Sequence, residues 1–525
     1  MPADMQRRDF HRWAQAHALA IALAPWQQAV GQASSDARRW RDNPFTLGVA
    51  SGQPRAESVV LWTRLLVSPQ DRADPGLDPA RVLCEVFADE ALRQRVWHNE
   101  ITTDAQRGHS VHAVAQGLTP ARTYWYRFRC GEATSPTGRT RTAPRAQADV
   151  GRLRLALASC QHYEQGEYVA HADIARQELD LVVFVGDYIY ESSNPRLALR
   201  KHTGGEPKTL DEYRLRYALY KSDPNLQAAH AAHPWLLMWD DHEVVNDYAN
   251  DRDPRNTPLE SFMQRRAAAY QAYFEHQPLA LGPDPGSPWG ASMRLHDKLS
   301  WGRLADIWTL DCRQYRSPQA CPDPNRGGGR VVTQCAELDD ASRTLLGNAQ
   351  EAWLYDGLRQ STATWKVLAQ ATQISPTSVN TPLGRATYTD AWDGYPHARR
   401  RLLQTLADGA VSDVLTLGGD VHMNVAAQLR LQANDEASPV LASEFVATSI
   451  TSRGLSESVL NAARTANPDI VYARADERGY ALIDIQPHAA TCEFRTTPFP
   501  AGTRADLSVQ ARFLVERGRA GPVKL

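Results

Sequence analysis

The sequence predicts an α/β sandwich of the α+β kind, preceded by a small all-β domain of immunoglobulin or fibronectin type. Three observations carry that expectation. From about Phe45 to Pro144, short aromatic and β-branched segments alternate with period two, as half-buried antiparallel strands do. After residue 150 the pattern changes to short, continuous apolar runs separated by helical stretches, as in layered α/β domains. Nearly every one of those runs stops at a carboxylate, imidazole, thiol or amide.

The chain opens with Arg7-Arg8-Asp9-Phe10, an Ala-rich run from His17 to Pro25, and a small-residue end at Gly31-Gln32-Ala33. Paired arginines, a short apolar stretch and an A-x-A-like site mark residues 1–33 as a cleaved export signal of the twin-arginine class. A retained amphipathic N-terminal helix is the plainer alternative. The apolar run is too short to be a membrane anchor, and no other stretch reaches the roughly 20 apolar residues of a span. The expected location is periplasmic or secreted, with the twin-arginine export machinery as a partner and no stable membrane anchor.

Residues 40–145 form the expected β domain. Val59 to Arg64 and Thr123 to Arg129 read as strands, and Leu118-Thr119-Pro120 before Tyr124 resembles a sandwich corner tied by a tyrosine hydroxyl. No cluster with obvious chemistry lies here, so the domain's expected role is structural. Ala143 to Ala148 reads as the linker to a second domain over 151–525.

In that domain six apolar runs matter. They are Leu153 to Ala158, Leu181 to Val185, Trp235 to Trp239, Leu304 to Leu310, Trp365 to Ala369 and Val414 to Leu417. They end at Ser159-Cys160, Gly186-Asp187, Asp240-Asp241-His242-Glu243, Asp311-Cys312-Arg313, Gln370 and Gly419-Asp420-Val421-His422. Ligands of α/β sheets bind beyond the carboxyl ends of strands, so these distant segments are expected to converge on one rim. Pro/Gly-rich stretches near 282–290 and 322–329 read as surface loops.

Asp187, Asp240, Asp241 and Asp420 on one rim would repel each other unless cations sit between them. Oxygen donors suit a hard metal. Tyr190, three residues past Asp187, could add a phenolate, which requires a strongly Lewis-acidic ion because a phenol ordinarily titrates near 10. Cys160 could add a thiolate, and His422 an imidazole. The chain has seven cysteines, so at least one lies outside any intramolecular disulfide. Cys321 and Cys335 flank a Pro/Asn/Gly-rich loop that a bridge would close.

Gly-Asp-x-x-Tyr at 186–190 resembles the purple acid phosphatase motif. The wider set resembles the PhoD-type alkaline phosphatases more closely: SCQ (159–161), VFVGDYIYE (183–191), WDDHEVVNDYAN (239–250), LDCRQYRS (310–317), WDGYPHARRRLL (392–403) and GGDVHMN (418–424). The stretch 44–65 resembles the start of that family's β domain. The resemblance implies Fe3+ and Ca2+ (with other divalent cations as alternatives) and hydrolysis of phosphomonoesters or phosphodiesters. Carried over, Cys160, Asp187, Tyr190 and His422 would hold iron, and Asp187 would bridge to calcium held by Asp241 and Asp420. Asp240 and Asn246 are secondary candidates. Val245, Asp247 and Cys312 depart from the family's usual Asp, Asn and Thr.

The expected catalytic residues are His242, as donor or acid at the leaving oxygen, and Arg313, as a phosphate clamp or a salt-bridge partner of Asp311. Trp392, Asp393 and Tyr395 are expected to line the opening. Two other functions stay open: a phospholipase D-like lipid phosphodiesterase, and a secreted binding protein with purely structural metals. Lys+Arg 58 against Asp+Glu 60 gives a formal charge of −2, which supplies no pull toward nucleic acid or anionic membrane. Phosphate affinity must be local.

Overall fold

The apolar runs become strands of two stacked sheets. In this computed structural model residues 40–67, 79–196, 198–280, 289, 293–323, 325–503 and 505–525 are described. The expected export signal at 1–33 and most of the 282–290 stretch lie outside them. Among the described residues no helix is long and apolar enough to cross a membrane.

The first sheet has ten strands, and its centre runs Glu477–Ile485, Leu153–Ala158, Leu181–Val185, Pro234–Met238. The last three are parallel, with Leu181 opposite Leu155 and Val182 opposite Trp235. The second sheet has seven strands, with Ala305–Thr309, Trp365–Ala369, Val414–Gly418 and Val440–Val446 adjacent and parallel. Leu155, Val183, Val367, Leu415 and Phe445 share one buried cluster, so the main core includes residues of both sheets. Helices Asn348–Gln360 and Pro396–Asp408 pack on the second sheet through Leu354, Leu358, Leu402 and Leu406 against Trp308 and Leu368. Every residue of the strands at 153–158, 181–185, 234–238, 305–309, 365–369 and 414–418 is buried except Arg154, which is half-buried. This explains why they read as continuous apolar runs rather than alternating ones.

The N-terminal stretch is all β. Ala80–Phe87, Arg95–Thr103 and Thr123–Cys130 form an antiparallel sheet with two short strands at 133–134 and 138–141. The tyrosine corner is formed, with the Thr119 N–H donating to Tyr124 Oη at 2.8 Å. Three further strands, Val49–Gly52, Ser58–Arg64 and Ser110–Gln116, continue the ten-stranded sheet, with Gly52 opposite Trp235. The linker in sequence is therefore no break in hydrogen bonding.

Cys321 and Cys335 are joined, with Cα atoms 6.0 Å apart. The other five cysteines form no disulfide and are buried. Trp392 and Tyr395 do not line an opening. Both are buried, Trp392 donating to Gln370 Oε1 at 3.1 Å and Tyr395 to the Ser317 carbonyl at 2.7 Å. Their aromatic bulk fills the core beneath the helix Pro396–Asp408, while Asp393 accepts the N–H groups of Thr377 and Ser378, both at 2.9 Å.

Candidate metal centre

Strand ends from both sheets meet at one rim. The loops after 153–158, 181–185 and 234–238 come from the first sheet, and the loop after 414–418 from the second. Two glycines let them touch. A Cβ on Gly186 would lie 2.5 Å from Asp240 Cβ, and one on Gly419 would lie 2.5 Å from Ser159 Oγ. One buried carboxylate ties two of these loops together. Glu243 accepts the backbone N–H groups of Asp187 at 3.2 Å, Tyr188 at 2.6 Å and Asp240 at 2.9 Å.

The chain turns sharply at the donor positions. Cys160, Asp187, Asp420 and His422 all take left-handed backbone angles, with φ of 58°, 57°, 65° and 53°. Side chains other than glycine avoid this region at a cost of about 1–3 kcal/mol each, and such strain gathers where function demands a geometry. The turns bring donor atoms together. Ligand atoms of Cys160, Asp187 and His422 lie within 4.8 Å of one another, as do those of Asp187, Asp240 and Asp420 and those of Asp187, Asp241 and His242. Asp187 is common to these three groups, and a fourth, of Asp241, Asp247 and Asp390, shares Asp241 with one of them.

Tyr190 completes the first group. Its hydroxyl donates to Asp187 Oδ2 at 2.9 Å and lies 3.1 Å from His422 Nε2 and 2.8 Å from Ser452 Oγ. The ring is flanked by two imidazoles, His242 at 4.1 Å and His162 at 4.5 Å between centroids. His422 Nδ1 contacts the Arg453 carbonyl at 2.8 Å, which fixes the ring and leaves Nε2 facing the group. Burial holds the His422 imidazole down at about 3, so it stays neutral, as a metal ligand must.

The donor set fits a cation. Asp187 Oδ1, Asp240 Oδ2 and Asp241 Oδ1 are buried oxygens with no hydrogen-bond partner. An orphaned buried carboxylate oxygen is costly. Burial, then the charge of Asp187, pushes the Cys160 thiol and the Tyr190 phenol well up. Burial likewise raises Asp187 and Asp420, and Asp240 to about 6. Positive charge among them would favour the anionic form of the raised groups.

Arg313 is not placed to clamp a phosphate. Its Nη1 lies 2.8 Å from Asp390, its Nη2 lies 3.3 Å from Asp241, and its Nε is bonded to Asp240. Only its backbone N–H reaches Asp311, at 3.0 Å. Three carboxylates converging on one buried guanidinium leave none of its nitrogens for substrate. His242, by contrast, is partly open, with 13% of its side chain exposed, and its Nδ1 is 2.6 Å from Glu191 Oε2. Burial opposes its protonation, but the carboxylates of Glu191, Asp187 and Asp241 prevail and hold its pKa well above the ordinary value.

Sequence reasoning gave no role to Glu191, Glu243, Asp247 or Asp390. Glu191 and Glu243 sit inside the VFVGDYIYE and DDHE stretches, where their proximity to Asp187 and Asp241 was the available signal. Asp390 follows the short, half-exposed strand Gly384–Tyr388, which is not an apolar run and so carried no such signal.

Residues 155–494 match the model of the PhoD-like phosphatase family, and residues 31–144 match that of the PhoD-like phosphatase N-terminal domain. The chain belongs to the PhoD-like phosphatase family. It is 40% identical over 490 residues to alkaline phosphatase D of Bacillus subtilis (strain 168), covering 91% of this chain and 82% of that protein. The solved structure of PhoD superposes with a TM-score of 0.87 at 39% identity, covering 93% of each chain. A purple acid phosphatase from yellow lupin seeds shares the fold, with a TM-score of 0.57 at 11% identity over 90% of this chain and 74% of that one. This family member is therefore a phosphoric ester hydrolase of the PhoD type, with side-chain clusters able to hold metal.

Proposed function

We propose that this hydrolase works through a ferric ion held by Cys160, Asp187, Tyr190 and His422, beside calcium held by Asp187, Asp240, Asp241 and Asp420. The observation that carries the reading is that Asp187 belongs to three donor groups at once while its Oδ1 has no partner. A carboxylate shared between groups is a bridge. Thiolate and phenolate suit the more Lewis-acidic ion, and the all-carboxylate side suits calcium. Bound there, the metals would neutralise phosphoryl oxygens and acidify the attacking water.

The chain's own residues supply the rest. His242 Nδ1 is occupied by Glu191, so Nε2 is the atom that would give its proton to the departing alcohol oxygen as the P–O bond breaks. Arg313 balances the charge of Asp240, Asp241 and Asp390 and holds the first two in place. Phosphomonoesters and phosphodiesters both fit this chemistry. The paired arginines at 7–8 support export by the twin-arginine route to the periplasm or beyond.

The experiment is elemental analysis of the purified protein with hydrolysis of a chromogenic phosphomonoester and diester before and after chelation. Iron and calcium with chelator-sensitive turnover are expected. A metal-free protein that hydrolyses both esters at full rate would sink the reading, and bound metal without turnover would favour the structural-metal alternative.

A further inference from the structure

Asp247 lies in the loop that carries Asp241, yet the reading above gives it no task. Its backbone N–H donates to Asp241 Oδ2 at 2.7 Å. That leaves Asp241 Oδ1 as the free oxygen of the pair. Asp247 itself takes a left-handed φ of 57°, a conformation that persists only when its surroundings impose it. The constraint comes from the disulfide-closed loop. Gly329 N–H donates to Asp247 Oδ2 at 3.1 Å, and Tyr388 Oη donates to the same carboxylate, at 3.0 Å from Oδ2 and 3.1 Å from Oδ1.

The segment that delivers Gly329 is built for close approach. A Cβ there would fall 2.7 Å from Asp390 Cβ and 2.8 Å from the Tyr388 ring. On its C-terminal side the strap is laced to the Tyr388 strand. The Arg330 N–H donates to Thr389 Oγ1 at 3.1 Å, the Thr389 N–H donates to the Arg330 carbonyl at 3.0 Å, and Val331 pairs with Tyr388. The Cys321–Cys335 bridge then closes the loop. A continuous chain of contacts thus runs from the disulfide through Gly329 and Asp247 to Asp241.

We propose that Asp247 is a positioning residue. Together with the Gly329 strap and its Cys321–Cys335 clip, it sets Asp241 for the divalent ion. This rests on the calcium reading above. A partner behind a ligand is worth roughly 10–100-fold in metal affinity. A carboxylate serves here because Asp247 must accept from both Gly329 and Tyr388 while its own N–H is committed to Asp241.

The test compares wild type with Asp247→Ala, Asp247→Asn, Tyr388→Phe and the double variant Cys321→Ser/Cys335→Ser. Calcium affinity is measured by titration calorimetry, iron content by elemental analysis and unfolding midpoint by heating. Asp247→Ala and the double cysteine variant should bind calcium about tenfold more weakly or worse, with iron content unchanged. Asp247→Asn should recover most of the loss, because one oxygen remains for Gly329. Tyr388→Phe, a mild change in the fold, should lie between wild type and Asp247→Ala. Calcium affinity unchanged across the variants overturns the proposal. Equal loss of iron and calcium with a lowered unfolding midpoint overturns it too, since that marks a purely structural role. A wild type that binds no calcium overturns both this proposal and the metal reading, whereas flat variants beside a calcium-binding wild type overturn this one alone.

Discussion

The Nδ1 of His242 lies 2.6 Å from Oε2 of Glu191, a buried carboxylate that belongs to none of the metal-donor groups. The pair therefore differs from the other acidic contacts of the centre. Glu191 is placed to act on a proton rather than on an ion. It also accepts the Asn246 N–H at 3.0 Å, which holds it in place beside the imidazole.

Replacing Glu191 by Gln removes the largest of the carboxylate charges that keep His242 protonated. Turnover should fall on the order of 10²-fold for alkyl phosphates, whose leaving oxygen needs a proton, and much less for nitrophenyl phosphate. The sign of the pH effect follows from the raised pKa of His242. The protonated imidazole is present below that pKa and is lost as pH rises through it, so activity falls on the alkaline limb. In Glu191→Gln that limb moves to lower pH. Rate profiles on the two esters, with metal content measured alongside, check both statements, and an unmoved alkaline limb would contradict them.

How much of this was legible depended on what kind of signal each residue left. The strand ends at Cys160, Asp187, Asp241, Asp420 and His422 were readable because buried parallel strands are short apolar runs, and whatever follows them stands out. Their convergence at one rim is formed, but across two sheets rather than one, which periodicity alone cannot reveal. Arg313 misled for the same reason that it looked functional. A cation past a strand end could face substrate or carboxylates, and the decision lay with Asp390, which is 77 residues further on (390 − 313). Trp392 and Tyr395 were misread because an aromatic beside a motif looks the same in sequence whether it lines a cavity or fills a core. Sheet pairing between Gly52 and Trp235 has no local signature at all.

Asp187→Asn tests the bridge. An amide keeps the shape but loses the charge that two ions would share. Iron and calcium should both be depleted, and hydrolysis of monoester and diester should vanish together. Elemental analysis and steady-state assays on the same preparation read this out. Full metal content with unchanged turnover would reject Asp187 as the shared ligand.

Arg313→Met removes the guanidinium shared by Asp240, Asp241 and Asp390, leaving Arg316 on Asp390 alone. Burial already raises Asp240 to about 6 in its presence, and losing it pushes that carboxyl further up. An uncompensated buried charge costs roughly 3–5 kcal/mol, a large share of a domain's stability. Urea unfolding should show a loss of that order in calcium-free buffer. Added calcium should restore part of it, because a divalent ion supplies the missing positive charge. A variant as stable as wild type without calcium would contradict the assignment of Arg313 to charge balance.

The last prediction concerns the N-terminal β region. Gly52 pairs with Trp235 and the Gln53 N–H donates to the Trp235 carbonyl at 3.0 Å, so strands from residues 49–116 cover an edge of the main sheet. Side chains reinforce the join. Trp62 Nε1 donates to the Glu275 carbonyl at 3.0 Å, and His112 Nε2 lies 2.9 Å from the Phe274 carbonyl and 3.0 Å from that of Gln277. Ala50, Leu61 and Trp62 are wholly buried. Each large apolar side chain stripped of its cover costs about 1.5–3 kcal/mol, against a total stability of about 5–15 kcal/mol. A chain starting at residue 151 would also bare the unpaired edge of Pro234–Met238, a wholly buried strand, and such edges template aggregation. Residues 151–525 expressed alone should therefore be insoluble, whereas co-expression with residues 40–150 should recover soluble, calcium-binding protein. A soluble, active 151–525 fragment would show that the sheet closes without its N-terminal strands.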